Sequence, residues 1–264
     1  MFEIVIELAA STLFCLDKPW NEALTNLLEI GTGCIELTDE GLHALTQRRV
    51  DSLLELKESY GLRYSLNAPF ADVNIAANDS SLREAILRRL ERSIQWACDL
   101  EVEALVFHPG ASSALERFSP STAWRFNLES VRRLFLYSRE KGVRAMIENV
   151  PEPFPFLLKS VDDFKRFYGE VGVEIEMVFD VAHAHLRGEI REFMMCLGEK
   201  ICHVHVSDNN GGSDEHLPLG GGSINWMETM AAVKAMNLDG WVVVESLKGV
   251  EESLGILRNL LDCV

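Results

Sequence analysis

Residues 81–110 read SLREAILRRLERSIQWACDLEVEALVFHPG, a helical pattern followed closely by an apolar strand pattern. Apolar side chains recur every three or four residues over Ser81–Leu100, which indicates an amphipathic helix. The run Ala104–His108 is almost continuously apolar, which is typical of a parallel strand that is covered on both faces. This stretch therefore predicts one helix-then-strand step of an α/β fold.

The same alternation continues along the whole chain, with eight β-rich runs separated by longer helical patterns. The first run is not followed by GxGxxG, so a dinucleotide-binding doubly wound sheet fits poorly. Eight β-then-α units instead predict a closed (β/α)8 TIM barrel that forms a single domain over residues 1–264. The predicted strands are Phe2–Leu8, Cys34–Thr38, Arg63–Ala68, Ala104–His108, Val143–Asn149, Ile175–Val181, Ile201–Ser207 and Trp241–Ser246. Further helices are predicted at Val50–Tyr60, Thr122–Lys141 and Trp226–Met236.

Composition excludes several classes of protein. The chain carries 25 basic and 41 acidic residues, and its net charge of −16 disfavours binding to nucleic acid. Its six cysteines form no CxxC pair, which is typical of reduced thiols in the cytoplasm. No apolar run approaches the length of about 18 residues that a membrane span needs. We therefore expect a soluble cytoplasmic protein that binds neither nucleic acid nor membrane.

Polar side chains follow the apolar runs at the predicted carboxyl ends of the strands, where a TIM barrel carries its active site. Glu148, Asp180 and Glu245 each come directly after an apolar run, and His205 lies in the seventh run. Carboxylates brought together in a poorly solvated pocket repel one another unless a divalent cation offsets their charge. We therefore predict that these four residues hold Mn²⁺, Mg²⁺, Co²⁺ or Zn²⁺.

A second group of polar residues stands at the same predicted end of the barrel. His183, Asp214 and His216 offer an N, O, N set that is typical of zinc and is equally suited to holding substrate oxygens. His108, which follows the fourth apolar run, belongs to this second metal or substrate group.

Four other polar residues receive different interpretations. Glu36 and Asn67 lie near the ends of the second and third runs and are candidate substrate contacts, although Glu36 could equally be a carboxylate of the rim. His203 lies deeper than His205 on the same strand face, so we predict a hydrogen-bonded core histidine. Asp208 is predicted to orient a neighbouring ligand rather than to bind metal itself.

Several short motifs occur in a fixed order from the third to the eighth predicted strand, within a resemblance that begins at the second strand. They are NAPF, VFHPG, IEN, FDVAH, HVHVSD, DEHLPLGGGSI and VVVES. This ordered set resembles the xylose-isomerase-like TIM-barrel superfamily, which joins sugar and sugar-phosphate isomerases and epimerases with endonuclease IV-like nucleases (AP endonuclease family 2). The resemblance independently implies a TIM barrel with a metal site at its carboxyl end.

In the isomerase and epimerase branch, the resemblance implies one divalent metal at the four predicted positions. Glu148 and Glu245 would then also form the acid/base pair that moves a proton between neighbouring carbons, and His183 would contact the substrate. This implies a small carbohydrate substrate, whose identity depends on the shapes of the loops. The oligomeric state, including a homo-oligomer, is left open.

In the nuclease branch, the resemblance implies three zinc ions held by the same four residues and by the second group around His183. That branch also uses a histidine where this chain has Asn67, and asparagine is a poor zinc ligand. The stretch Pro69–Asp79 contains no basic residue that could grip a DNA backbone. The sequence therefore favours a metal-dependent sugar or sugar-phosphate isomerase or epimerase. The alternative is a zinc-dependent phosphodiesterase or abasic-site nuclease.

Overall fold

A computed structural model, which describes residues 6–236 and 238–263, contains a closed barrel of parallel strands. The strands are β1 (Glu7–Ser11), β2 (Cys34–Thr38), β3 (Arg63–Asn67), β4 (Leu105–Phe107), β5 (Ala145–Glu148), β6 (Glu176–Asp180), β7 (Ile201–Val206) and β8 (Trp241–Val244). Each strand pairs with its neighbours in sequence, and β1 closes the barrel against β8. The predicted (β/α)8 TIM barrel is confirmed.

Helices connect consecutive strands over the described residues, and three single 3₁₀ turns add to the loops. None of the helices in this part of the chain combines the length and the apolar character needed to cross a membrane. The helices are α1 (Trp20–Glu29), α2 (Gln47–Tyr60), α3 (Ser80–Asp99), α4 (Thr122–Glu140), α5 (Val161–Glu170), α6 (Val181–His185), α7 (Ile190–Leu197), α8 (Trp226–Ala235) and α9 (Val250–Cys263).

The helix α3 illustrates how the sequence pattern becomes structure. Ile86, Leu90 and Ile94 recur on one face and are buried against the barrel. Asp79 caps the helix, since its side chain accepts a hydrogen bond of 2.9 Å from a backbone N–H three residues on. Helix α2 ends at Gly61, whose φ of +68° is a left-handed conformation that glycine adopts without steric cost.

The first strand lies further along the chain than predicted. The prediction was Phe2–Leu8, but β1 runs from Glu7 to Ser11, and residues 2–5 lie outside the described part of the chain. Ala9 and Ala10 are fully buried, and Ala9 packs against Trp241 inside the barrel. Small side chains are suited to this crowded position, so a pattern of large apolar residues misses the strand.

Candidate active site

Strand alternation decides which side chains point into the barrel. In β7, Val204 and Val206 pack in the large core that includes the helices, so His203 and His205 face the barrel interior. The same alternation turns inward the side chains of Glu36, Ser65, Asn67, Val106, Met146, Glu148, Val178, Asp180 and Val243.

Four of the predicted residues lie together at the carboxyl end of the barrel interior. Glu148, Asp180, His205 and Glu245 each offer one oxygen or nitrogen atom, and these four atoms lie within 4.8 Å of one another. His205 Nδ1 is 2.8 Å from Glu148 Oε1 and 3.4 Å from Glu245 Oε2. All four side chains are buried, so little water screens their charges. We call them the four-residue cluster.

Charges within and beside the four-residue cluster depend strongly on one another. Burial by itself would raise the pKa of Glu148, but the positive charges of His205 and His108 hold it well below its usual value. Burial would lower the pKa of His205, but Glu245, Glu36 and Glu148 raise it well above the usual value. The carboxylates of this region therefore need a compensating positive charge.

Asp180 shows that these residues fit a metal ion. Its Oδ1 accepts a hydrogen bond of 2.7 Å from the backbone N–H of His183, while its buried Oδ2 has no hydrogen-bond partner among the described residues. Burial raises the pKa of Asp180 to about 7 despite the opposing charge of His183. A divalent cation within the four-residue cluster would use the unpartnered oxygen and offset the carboxylate charge. Three oxygen donors and one imidazole suit Mn²⁺, Mg²⁺, Co²⁺ or Zn²⁺.

The second predicted group is held together by hydrogen bonds around Asp214. Asp214 Oδ2 is 3.2 Å from His183 Nε2 and 3.1 Å from His216 Nε2. The Nδ1 atoms of these two rings lie 2.8 Å from the Asn149 carbonyl oxygen and 3.0 Å from the Glu245 carbonyl oxygen. Because all four ring nitrogens face acceptors, both histidines are held as cations. Burial opposes this, yet the surrounding carboxylates raise the pKa of His183 to about 10 and that of His216 to about 9.

His108 lies apart from this hydrogen-bonded group and contacts the four-residue cluster directly. Its Nε2 is 2.7 Å from Glu148 Oε2, and its ring packs against Phe70 with the centroids 5.3 Å apart. The structure therefore divides the second predicted group, with His108 beside Glu148 and the other three members around Asp214.

Glu36 is not at the rim, which corrects its interpretation as a substrate contact or a rim carboxylate. Its side chain is fully buried below the four-residue cluster, because Glu36 lies in the middle of β2 in register with Ser65. Glu36 Oε2 accepts hydrogen bonds from Ser65 Oγ at 2.9 Å and from His203 Nε2 at 3.2 Å. His203 is thus a hydrogen-bonded core histidine, as predicted.

Asp208 holds a loop, which corrects the expectation that it orients a neighbouring ligand. Its buried carboxylate accepts hydrogen bonds from the backbone N–H groups of Asn209 at 2.9 Å, Gly220 at 2.9 Å and Ile224 at 3.3 Å. A fourth bond, of 2.8 Å, comes from Trp226 Nε1. Asp208 therefore fixes the loop between β7 and α8, which carries Asp214 and His216.

A cavity of about 420 Å³ opens above the four-residue cluster. Its polar wall includes Glu148, Glu245 and Asn67. The opposite wall is formed by apolar residues, which carry no polar signal at a strand end by which the sequence could have identified them. These apolar residues are Leu13, Phe70, Val73, Val150, Phe154, Phe156 and Leu247.

Comparison with known proteins agrees with the fold. The sequence model of the xylose isomerase-like TIM barrel family matches residues 24–260. The chain belongs to this family. This xylose isomerase-like TIM barrel is 26% identical over 265 residues to the uncharacterized protein MJ1311 of Methanocaldococcus jannaschii, an alignment that covers 98% of this chain and 90% of that protein.

Solved structures similar to this xylose isomerase-like TIM barrel include sugar epimerases. A D-tagatose 3-epimerase-like protein aligns with a TM-score of 0.92 at 26% identity, with 98% of each chain covered. An L-ribulose 3-epimerase aligns with a TM-score of 0.79 at 14% identity, with 98% of this chain and 95% of that chain covered. The zinc-bound IOLI protein aligns with a TM-score of 0.78 at 17% identity, covering 98% and 99%. The last two are similar in fold alone.

Proposed function

We propose that the chain is a metal-dependent isomerase or epimerase that moves a proton at a carbon next to the carbonyl of an unphosphorylated sugar. The observation that carries the proposal is the four-residue cluster, in which two glutamates at the carboxyl ends of β5 and β8 contact His205 and line the cavity. The similarity to a D-tagatose 3-epimerase-like protein supports the same reaction class.

Glu148 and Glu245 perform the proton transfer in this proposal. One carboxylate removes the proton from the carbon next to the carbonyl, and the other carboxylic acid returns a proton to the substrate. A divalent cation held by the four-residue cluster supplies positive charge that stabilises the oxyanion formed when this proton leaves. Asp214 and Asn67 each contribute an unpartnered, buried Oδ1 as an acceptor for substrate hydroxyl groups, and His183 and His216 hold Asp214 in place beside the cavity.

The cavity lining argues for an unphosphorylated substrate. Among the described residues that line the cavity, there is no lysine or arginine to pair with a phosphate dianion. Its acidic residues, such as Glu148 and Asp214, would repel that dianion instead. The apolar wall around Phe154 and Phe156 suits the C–H groups of a neutral sugar, either on one face of the molecule or at the end away from the carbonyl.

In the glycine-rich loop after β7, two backbone N–H groups that could bind a phosphate are already used. TIM barrels frequently bind phosphate at the loops that follow strands seven and eight, where backbone N–H groups act as donors. Here the N–H groups of Gly220 and Ile224 already donate to the carboxylate of Asp208. An internal carboxylate therefore takes donors that a substrate phosphate could otherwise use.

Solvent exchange tests the reaction and the substrate class together. We expect incubation with free ketoses in D₂O to place deuterium at the carbon next to the carbonyl in at least one of them. The corresponding ketose phosphate should react with kcat/KM at least about 100-fold lower, because an unpaired charge in the cavity costs several kcal/mol. Mass spectrometry and NMR measure both rates. Faster reaction of the phosphate would contradict the substrate class while leaving the proton transfer intact.

The nuclease alternative is tested with the same preparation. A duplex that carries one abasic site should not be cleaved in the presence of Zn²⁺ at physiological salt. Efficient zinc-dependent cleavage together with no exchange in any ketose would replace the proposed isomerase with the nuclease.

Metal removal gives an independent prediction. Chelation should lower the melting temperature, and adding Mn²⁺, Co²⁺ or Zn²⁺ should restore it, since a ligand at about 100 times its Kd stabilises the folded state by about 2.7 kcal/mol. For a chain of this size that corresponds to roughly 5–10 °C in differential scanning fluorimetry. Asp180→Asn should lose the response, while Asp162→Asn, which changes a side chain that is 96% exposed, should keep it. An equal response in both variants would place the metal elsewhere.

A further inference from the structure

Below the four-residue cluster, Glu36 makes contacts that the proposed proton transfer does not use. Its carboxylate lies between Ser65, His203 and His205 and is fully buried. The geometry points to Glu36 as a positioning residue that keeps a proton on His205 Nε2 and so leaves His205 Nδ1 free to bind a metal ion. This inference rests on the metal site of the proposed function.

The argument starts from the backbone of β8. The N–H of Trp241 donates a hydrogen bond of 3.3 Å to His203 Nδ1. A ring nitrogen that accepts a hydrogen bond carries no proton, so the proton of this imidazole lies on Nε2. His203 Nε2 therefore donates to Glu36 Oε2, which lies 3.2 Å away. The tautomer of His203 therefore follows from the N–H of Trp241, which can only donate.

The second oxygen of Glu36 then determines the state of His205. Glu36 Oε2 already accepts from His203 and, at 2.9 Å, from Ser65 Oγ. Glu36 Oε1 faces His205 Nε2 at 3.0 Å. Nδ1 also faces a carboxylate, since Glu148 Oε1 lies 2.8 Å away, so the contact with Glu36 decides the tautomer once a metal ion takes the Nδ1 lone pair. The single ring proton then lies on Nε2, beside an oxygen that only accepts. Nδ1, on the other side of the ring, faces Glu148 and the rest of the four-residue cluster. A partner of this kind fixes the tautomer of a metal-binding histidine.

A second metal ion below the first is the competing interpretation. Glu36, His203 and His205 also place three potential ligand atoms within 4.8 Å of one another. Binding through His203 Nε2 would require its proton to move to Nδ1, where it would face the N–H of Trp241. Two donors would then oppose each other without an acceptor in a buried position, which costs about 1–3 kcal/mol. The hydrogen-bonded arrangement is therefore favoured.

Glu36→Gln is the decisive substitution, because it keeps the shape and changes one acceptor into a donor. His203 Nε2–H needs the remaining oxygen, so the new NH₂ group has to face His205 Nε2. That contact favours a proton on His205 Nδ1 and removes the metal-binding lone pair. We expect the Kd for Zn²⁺, measured by chelator competition without substrate, to rise about 10–100-fold. Long-range ¹H–¹⁵N spectra of zinc-loaded, histidine-labelled protein should show loss of the Nε2–H pattern of His205, which is assigned with His205→Gln.

Two further variants separate positioning from a general loss of charge or of structure. Ser65→Ala removes another bond to the same carboxylate oxygen and should leave the tautomer and the Kd within about threefold of the parent. Adding His203→Leu to Glu36→Gln frees the amide to turn its oxygen towards His205, so zinc affinity and the Nε2–H pattern should both return. Melting of the metal-free proteins checks that each variant folds.

The outcomes are distinguishable. The positioning role is overturned if Glu36→Gln binds Zn²⁺ like the parent, or if the double variant stays as weak as Glu36→Gln with His205 still protonated on Nε2. Two zinc ions in the parent and one in Glu36→Gln would overturn it in favour of the second metal site. If the parent binds zinc and exchanges ketose protons in these cases, the proposed function stands without the positioning role. A parent that binds no metal overturns both.

Discussion

Glu148→Gln is expected to lower the interconversion of substrate and product by about 10²–10⁴-fold, because the amide keeps the shape of the side chain but cannot accept the proton. Glu245→Gln should have an effect of the same size, since the proposed reaction uses one carboxylate on each side of the reacting carbon. The measurement is the rate of ketose interconversion, followed by chromatography of the sugars.

Deuterium exchange assigns each glutamate to one face of the substrate. If each carboxylate serves one face, each variant should still exchange the proton of one epimer with D₂O while failing to convert it to the other epimer. Metal content must be measured in both variants, because both residues also belong to the four-residue cluster. His185→Gln is a suitable control, since His185 contacts Ser223 and lies outside the cluster. A metal-replete Glu148→Gln enzyme that interconverts its substrate at the parent rate would refute the two-glutamate mechanism.

The positions of residues at the ends of apolar strands could be predicted because the barrel topology and the alternation of side chains along a strand act together. Parallel strands of one barrel end on the same rim, and every second side chain points inward. Glu148 and Asp180 follow apolar runs directly, so the sequence was enough to expect them near each other and near His205. These positions depend only on local pattern and on the closed topology.

Depth within the barrel could not be predicted in the same way. Glu36 and Glu148 both point inward, yet Glu36 lies below the four-residue cluster while Glu148 belongs to it. The difference arises from the stagger between strands that are distant in sequence, since β2 and β7 face each other across the interior only after the barrel closes. The contact between Glu36 and His205 joins residues that no local pattern connects.

The role of Asp208 was equally hidden from sequence. An acidic residue directly after a strand resembles Asp180, and nothing in HVHVSD distinguishes a carboxylate for metal from one for a loop. What distinguishes Asp208 is the fold of the following 15 or so residues, which turns their N–H groups back towards it. The glycine at position 222 fits this arrangement, because a Cβ atom there would lie 2.4 Å from Asp208 Oδ1.

The second large effect is therefore expected from Asp208→Asn. The substitution replaces one of two oxygens that each accept two hydrogen bonds with an NH₂ group, so buried donors face each other. Each donor that loses its acceptor costs about 1–3 kcal/mol, and the loss of the negative charge weakens the remaining hydrogen bonds. The free energy of unfolding should therefore fall by about 3–6 kcal/mol. With about 2–4 °C lost per kcal/mol in a chain of this size, the melting temperature should fall by roughly 6–24 °C.

The same variant should also lose activity, and the reason is local. Asp214 and His216 lie on the loop that Asp208 holds, so the contacts of Asp214 with His183 and with His216 depend on the shape of this loop. Hydrogen exchange over residues 209–225 should accelerate more than in the strands, and kcat/KM should fall even well below the melting temperature. Ser223→Ala is the matched control, because its exposed hydroxyl contacts the same loop and its loss should change stability by no more than about 0.5 kcal/mol. If Asp208→Asn melts within 2 °C of the control, or if its exchange rises uniformly over the barrel, the buried carboxylate does not organise this side of the cavity.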